Sequence, residues 1–218
     1  MCPECGQPIR FYDNVPILSY IRLKGRCRHC AARIALRYPL VELISGCFAL
    51  CVVLRFGIGY EAFIYYFFIA ALLVITFIDI DHQIIPDIIT LPGIPVFFAV
   101  SFALPDAKWT DSVLGFLAGG GILFLTAWGY YLLTKKEGLG GGDIKLLAMI
   151  GVLLGWKGVA FTLFTGSIVG TACGLLVMVK HNRNLKLAIP FGPFLSIGAI
   201  LYVFFGPYLI RWYFNFLK

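Results

Sequence analysis

Four carboxylates stand at the margins of apolar runs in this chain. Asp79, Asp81 and Asp87 lie in FIDIDHQIIPDIITLP, and Asp143 closes a run of glycines in GLGGGDIK. An ionisable group at the lip of an apolar helix is costly to keep there, which makes it a functional candidate by default. Two such groups facing one another can divide the work of peptide hydrolysis. One, ionised, takes a proton from water; the other, protonated, donates to the carbonyl under attack. Like charges a few ångströms apart cannot both ionise cheaply, so the pair shares a proton. Asp79 directly follows an apolar run and Asp143 directly precedes one, so these two form the candidate dyad. Asp81 reads as part of a solvated loop, and Asp87, after Pro86, as a helix N-cap. Helix ends alone would leave the charge on Asp143, at a helix N-terminus, and the proton on Asp79, at a C-terminus. Gly140, Gly141 and Gly142 offer backbone without side chains, against which an extended substrate segment can find hydrogen-bond partners.

A second constellation opens the chain. CPEC and CRHC are two CxxC pairs, Cys2 with Cys5 and Cys27 with Cys30, separated by 21 residues. Each pair supplies one edge of a tetrahedral four-thiolate zinc site, and the intervening loop closes a small domain. Four thiolates leave no open position, so one structural zinc per chain is expected rather than a catalytic one. A segment of about 35 residues has too little core to fold unaided, and metal binding would supply its folding energy. Cys47, Cys51 and Cys173 fall in apolar runs and read as small buried hydrophobes.

These residues need a scaffold, and the composition says which kind. Hydrophobic residues make up 60% of the chain and charged ones 13%, against about 25% charged in ordinary globular domains. Several apolar runs reach the ~17–25 residues that cross a bilayer. The expected fold is an all-α polytopic membrane protein with about seven transmembrane helices, at 38–55, 60–79, 88–104, 112–133, 143–155, 158–179 and 189–210, in contact with membrane lipid. The run at 143–155 is short and would sit partly inside the bundle. Residues 1–37 form an N-terminal zinc-binding cysteine segment, and residues 38–218 the transmembrane domain.

The net charge of +7 reads as topology, not as a nucleic-acid partner. Seven cations precede the first apolar run; Lys135, Lys136 and Lys145 flank the glycines, and Lys180, Arg183 and Lys186 form a third group. Thirteen of the 18 Lys and Arg thus fall on one set of loops, the set expected to face the cytoplasm. The loops next to Asp79 and Asp143 share that face. Gly115, Gly119, Gly120 and Gly121, and Gly166, Gly170 and Gly174, recur at the spacing that lets membrane helices approach closely.

The motifs CPxCG, DNVPILSY–RLKGRCRHC, RYPLVEL, FIDIDHQIIPD–TLP, GLGGGDIKLL–G–LGW and IPFGPFL occur in this order over nearly the whole chain. In this the sequence resembles the bacterial type IV prepilin peptidases. The resemblance implies a GxGD-type membrane aspartic protease of the cell inner membrane. Its catalytic pair would fall on Asp79 and Asp143, and Cys2, Cys5, Cys27 and Cys30 would lie in a cytoplasmic zinc-binding loop. It implies type IV prepilins or type II secretion pseudopilins as substrates, cut after a glycine that ends a short basic leader, at the cytoplasmic membrane boundary. The new N-terminus would then be methylated from S-adenosylmethionine, a donor whose site no stretch of this sequence locates. Such proteins usually carry one more transmembrane helix ahead of the cysteines; here Met1 directly precedes Cys2, so that helix is expected to be missing. A GxGD protease of the preflagellin type and a transporter or channel with a zinc-ribbon tail are the alternatives.

Overall fold

The computed structural model describes residues 1–105, 108–135, 140–180 and 190–216. Lys136, Arg183 and Lys186, counted above for topology, and Gly138 and Leu139 of the glycine stretch lie outside the described residues. The described chain is helical: after a single 3-10 turn at Phe11–Asn14 come α1 (Leu18–Arg22), α2 (Arg37–Phe56), α3 (Tyr60–His82), α4 (Asp87–Ser101), α5 (Trp109–Thr134), α6 (Gly141–Lys180) and α7 (Gly192–Phe216). Among the described residues there is no strand, only an isolated bridge between Arg26 and Arg33. Helices α2, α3, α5 and α6 are long and apolar enough to cross a membrane; Asp87–Ser101 and Gly192–Gly206 are shorter apolar helices. This is a multi-pass all-α membrane protein. Two of the seven expected helices are one element, α6, broken at Gly155, where φ 70 and ψ 179 depart from the helix. That backbone region is essentially closed to residues with a side chain.

The chain divides into two compact units, Met1–Ala62 and Phe63–Lys218. In the first, the two cysteine motifs fold into matching turns. The N–H of Gly6 donates to the Cys2 carbonyl (2.9 Å) and that of Ala31 to the Cys27 carbonyl (3.0 Å). Cys2 N–H in turn reaches the Gln7 carbonyl (2.9 Å), and Cys27 N–H the Ala32 carbonyl (2.8 Å). Both turns place the residue after the second cysteine at positive φ, 66 for Gly6 and 57 for Ala31. Between the turns, Ile17 is the centre of a γ-turn with φ 62 and ψ −51, closed by Leu18 N–H on the Pro16 carbonyl. A β-branched residue is strained there, and its own N–H is held by Glu42 Oε2 of α2 at 3.0 Å.

In the second unit, the first arm of α6 is the central element. Leu146, Leu147, Ala148, Met149 and Ile150 are buried in succession, so this arm is covered on every side. Glycines make that possible. A side chain at Gly115 or Gly119 of α5 would run into the backbone of Gly151 and Leu147 of α6, so the two helices meet backbone to backbone. Gly166 and Gly170 of the second arm receive Phe194 of α7. A side chain at Gly121 would meet open space, so this glycine is not needed for the approach of the two helices. Helix α3 buries Phe68, Ile69, Leu72 and Ile75, and Phe68 meets Phe97 of α4 edge to face at 5.2 Å. Cys47 and Cys51, expected to be buried, are exposed on α2, the surface that a membrane helix turns outward.

Candidate functional site

Three helix ends converge around one loop of the second unit. Helix α3 runs past Asp79 to His82 and stops where Gln83 takes φ 54. Asp79 is therefore inside the last turn rather than just beyond it, and it is 4% exposed, whereas Asp81 is exposed. Helical geometry puts residues two apart on different faces, which separates these two carboxylates. Asp79 Oδ2 accepts a hydrogen bond of 3.0 Å from the N–H of Gly192, the first residue of α7. Asp143 lies in the first turn of α6, its own N–H on the Gly140 carbonyl at 3.2 Å. Asp79, at the C-terminal end of α3, thus also faces a helix N-terminus, that of α7.

The clamp between these ends is Ile85, buried in the loop after α3. A Cβ at Gly142 would lie 2.8 Å from Ile85 Cβ, and one at Gly192 3.2 Å from Ile85 Cδ1 and 2.6 Å from Asp79 Oδ2. Ile85 therefore wedges against the starts of α6 and α7 at once, and neither start tolerates a side chain. Gly142 is committed to this contact, whereas Gly141 has open space and Gly140 lies beside the Asp143 carboxyl. Asp87 is not the N-cap of α4. Pro86 holds that position, and Asp87, in the first turn, takes Lys145 Nζ of α6 at 2.8 and 2.7 Å on its two oxygens. Lys145 was read from the sequence as a topology cation only.

In the first unit the four cysteine sulfurs lie within 4.8 Å of one another, with Cys2 and Cys30 at 3.9 Å. A tetrahedron with metal–sulfur bonds of about 2.3 Å has edges of about 3.8 Å, so the cluster fits zinc. Backbone N–H groups of Cys30 and His29 point at the Cys27 sulfur and hold its thiol down to about 6, while burial and the neighbouring sulfurs push the Cys30 thiol up to about 12. Arg28, between Cys27 and Cys30, makes a two-pronged ion pair with Asp13 at 2.7 and 2.5 Å and covers the Tyr12 ring at 5.5 Å. Its guanidinium keeps the Asp13 carboxyl below the ordinary 3.8.

Residues 66–175 match the type IV leader peptidase family, and residues 1–56 match the bacterial Peptidase A24 N-terminal domain. The prepilin leader peptidase/N-methyltransferase of Aeromonas salmonicida strain A449 is 38% identical over 97% of this chain and 73% of its own length. The proteins of that name from Pseudomonas putida and Pseudomonas aeruginosa are 39% and 36% identical, over 94% and 99% of this chain and 71% and 74% of theirs. The chain belongs to the type IV leader peptidase family. No solved structure matches it.

In this family member, two features of the site had no role assigned from the sequence. One is the Gly192 N–H on Asp79. Its signal was present in IPFGPFL, where Pro193 follows Gly192 at the opening of a helix. The other is Ile85, an ordinary aliphatic residue whose contacts with Gly142 and Gly192 join parts of the chain far apart in sequence.

Proposed function

We propose that this chain is a membrane aspartic endopeptidase that removes the leader of type IV prepilins and methylates the N-terminus it exposes. The observation that supports the reading is that the helix ends bearing Asp79 and Asp143 converge on Ile85, through Gly192 beside Asp79 and Gly142 beside Asp143. The names of the relatives support the substrate and the two activities. In the dyad, one carboxylate removes a proton from water as the water attacks the scissile carbonyl. The other donates its proton to the carbonyl oxygen. Collapse of the tetrahedral adduct breaks the C–N bond, and the departing nitrogen takes up a proton. The cleavage segment must be extended, since a helical peptide keeps its carbonyl in the i→i−4 ladder. Gly140 and Gly141 supply open backbone beside Asp143 for such a segment.

The substrate would be a precursor with a basic leader and a glycine before the cut, its following helix held in the inner membrane; type II secretion pseudopilins belong to the same class. Both aspartates would face the cytoplasm. Cys2, Cys5, Cys27 and Cys30 would hold one zinc as a structural element of the first unit, and S-adenosylmethionine would supply the methyl group. The experiment is incubation of the purified protein with a prepilin, with and without S-adenosylmethionine, followed by mass spectrometry. Loss of the leader in both reactions, and a methyl increment on the new N-terminus with the donor alone, is expected. An uncut prepilin, or cleavage that survives Asp79→Asn, would overturn the reading.

A further inference from the structure

Between Asp13 and Glu42 the chain carries six Lys and Arg and no carboxylate. Within this stretch α1 is held by its inner side. The Ile17 N–H at its start donates to Glu42 Oε2 of α2 at 3.0 Å, the Ser19 hydroxyl to the Tyr12 carbonyl at 3.0 Å, and the Tyr20 hydroxyl to the Ile34 carbonyl at 3.3 Å. Tyr20 also lies across Gly25, where a Cβ would stand 2.7 Å from its oxygen. The outer side carries Leu18 and Ile21, three residues apart and so neighbours on the helix surface; they are 67% and 66% exposed. Phe11 is 87% exposed, and Arg22, Lys24 and Arg26 are exposed at the end of α1 and just after it. Large apolar side chains fixed outward and rimmed by polar groups mark an interaction surface.

Helix α2, in the same compact unit, says what that surface meets. Only 6% of its membrane-spanning stretch is buried, so lipid covers it on nearly every side. Glu42 lies five residues from the start of α2 at Arg37, about 7.5 Å along the axis. The hydrogen bond from Ile17 therefore seats the start of α1 beside the part of α2 that enters the bilayer. Apolar side chains next to cations at that level match the two layers of a membrane boundary, acyl chain and anionic headgroup. The single sign of the charge and the attachment to a lipid-facing helix favour anionic lipid over a protein partner. We propose that the outer face of α1, Leu18 and Ile21 with Arg22 and Lys24, docks on the anionic headgroups of the leaflet in which α2 begins. The cysteine segment then lies against the membrane instead of projecting from it. This depends on α2 crossing the bilayer and not on the peptidase reading.

The test uses the whole, zinc-loaded chain in nanodiscs of phosphatidylcholine, with or without phosphatidylglycerol. With the photoreactive p-benzoylphenylalanine in place of Leu18, irradiation should form lipid adducts on the peptide that carries it, read by mass spectrometry. The yield should be at least about fivefold higher with phosphatidylglycerol, the effect of roughly one cation at a charged surface. Arg22→Gln combined with Lys24→Gln should remove that increase, with zinc content and melting temperature reporting the fold. Salt at ~1 M should remove it with both cations in place, since the Debye length is then about 3 Å. The same probe at Leu54, 77% exposed on α2, should give equal yields in the two discs. No lipid adduct at residue 18, an equal yield there in both discs, or cross-links to another part of the chain or to a second copy would overturn the proposal.

Discussion

A methyl group added at Gly192 would stand 2.6 Å from Asp79 Oδ2 and 3.2 Å from Ile85 Cδ1. Carbon and oxygen come no nearer than about 3.3 Å in favourable contacts, so Gly192→Ala requires something to withdraw by roughly 0.7 Å. Helix α7 is poorly placed to move. A side chain at Gly198 would already meet the Thr162 carbonyl of α6 at 2.8 Å, and Phe194 fills the space at Gly166 and Gly170. The Asp79 carboxyl therefore gives way and loses the 3.0 Å hydrogen bond from Gly192 N–H. Misplacement of a catalytic group by about 1 Å costs on the order of 10²-fold in rate. A fall in kcat of about 100-fold with little change in KM is expected in a prepilin cleavage assay. Overpacking costs ~1–3 kcal/mol, which at ~2–4 °C per kcal/mol leaves a folded protein with a lowered Tm. Gly129→Ala, where no atom lies within 4 Å, is the control and should cleave normally. If folded Gly192→Ala cleaves within about threefold of wild type, the seat of Asp79 on α7 contributes nothing to the reaction, and the reasoning from helix ends fails.

Asp79→Asn and Asp143→Asn should each abolish cleavage, because neither amide exchanges the needed proton, while Asp81→Asn retains most of it; leader release followed by mass spectrometry separates these outcomes. Removing the exposed Lys145–Asp87 pair by Lys145→Gln should slow cleavage by no more than about fivefold, since exposed pairs contribute ~0–1 kcal/mol, and a loss near 100-fold would require a role in the reaction itself. Elemental analysis should find one zinc per chain, lost from Cys27→Ser together with a drop in melting temperature. Asp13 has its carboxyl lowered by Arg28, so its contribution to stability is complete above about pH 4 and disappears as pH falls through the lowered value. Asp13→Asn should therefore lower the melting temperature at neutral pH and converge on wild type in acid.

The sequence alone determined the elements and the chemical types. Apolar runs long enough for a bilayer placed the helices close to where they lie, because in a membrane each helix must satisfy its own backbone and its length follows from hydropathy. Two CxxC pairs determined the candidate metal-ligand set for a similar reason: the turn geometry is local, and Cys2–Cys5 and Cys27–Cys30 each fold their own turn. Asp143 at a helix start was legible from GLGGGD, since glycines and an acid in a first turn are local signals. What only tertiary structure decided is which distant groups meet. Asp79 rather than Asp81 turns inward because of the rotation of α3, which hydropathy does not resolve to one residue. Asp87 takes Lys145 instead of capping α4, and the N–H of Gly192 takes Asp79 across 113 residues. Gly142 packs against Ile85, a contact the glycine run itself does not disclose. These contacts depend on helix rotation and on backbones drawn together at Gly115, Gly119 and Gly151, and close approach of that kind is a property of pairs of helices, which no single stretch of sequence carries.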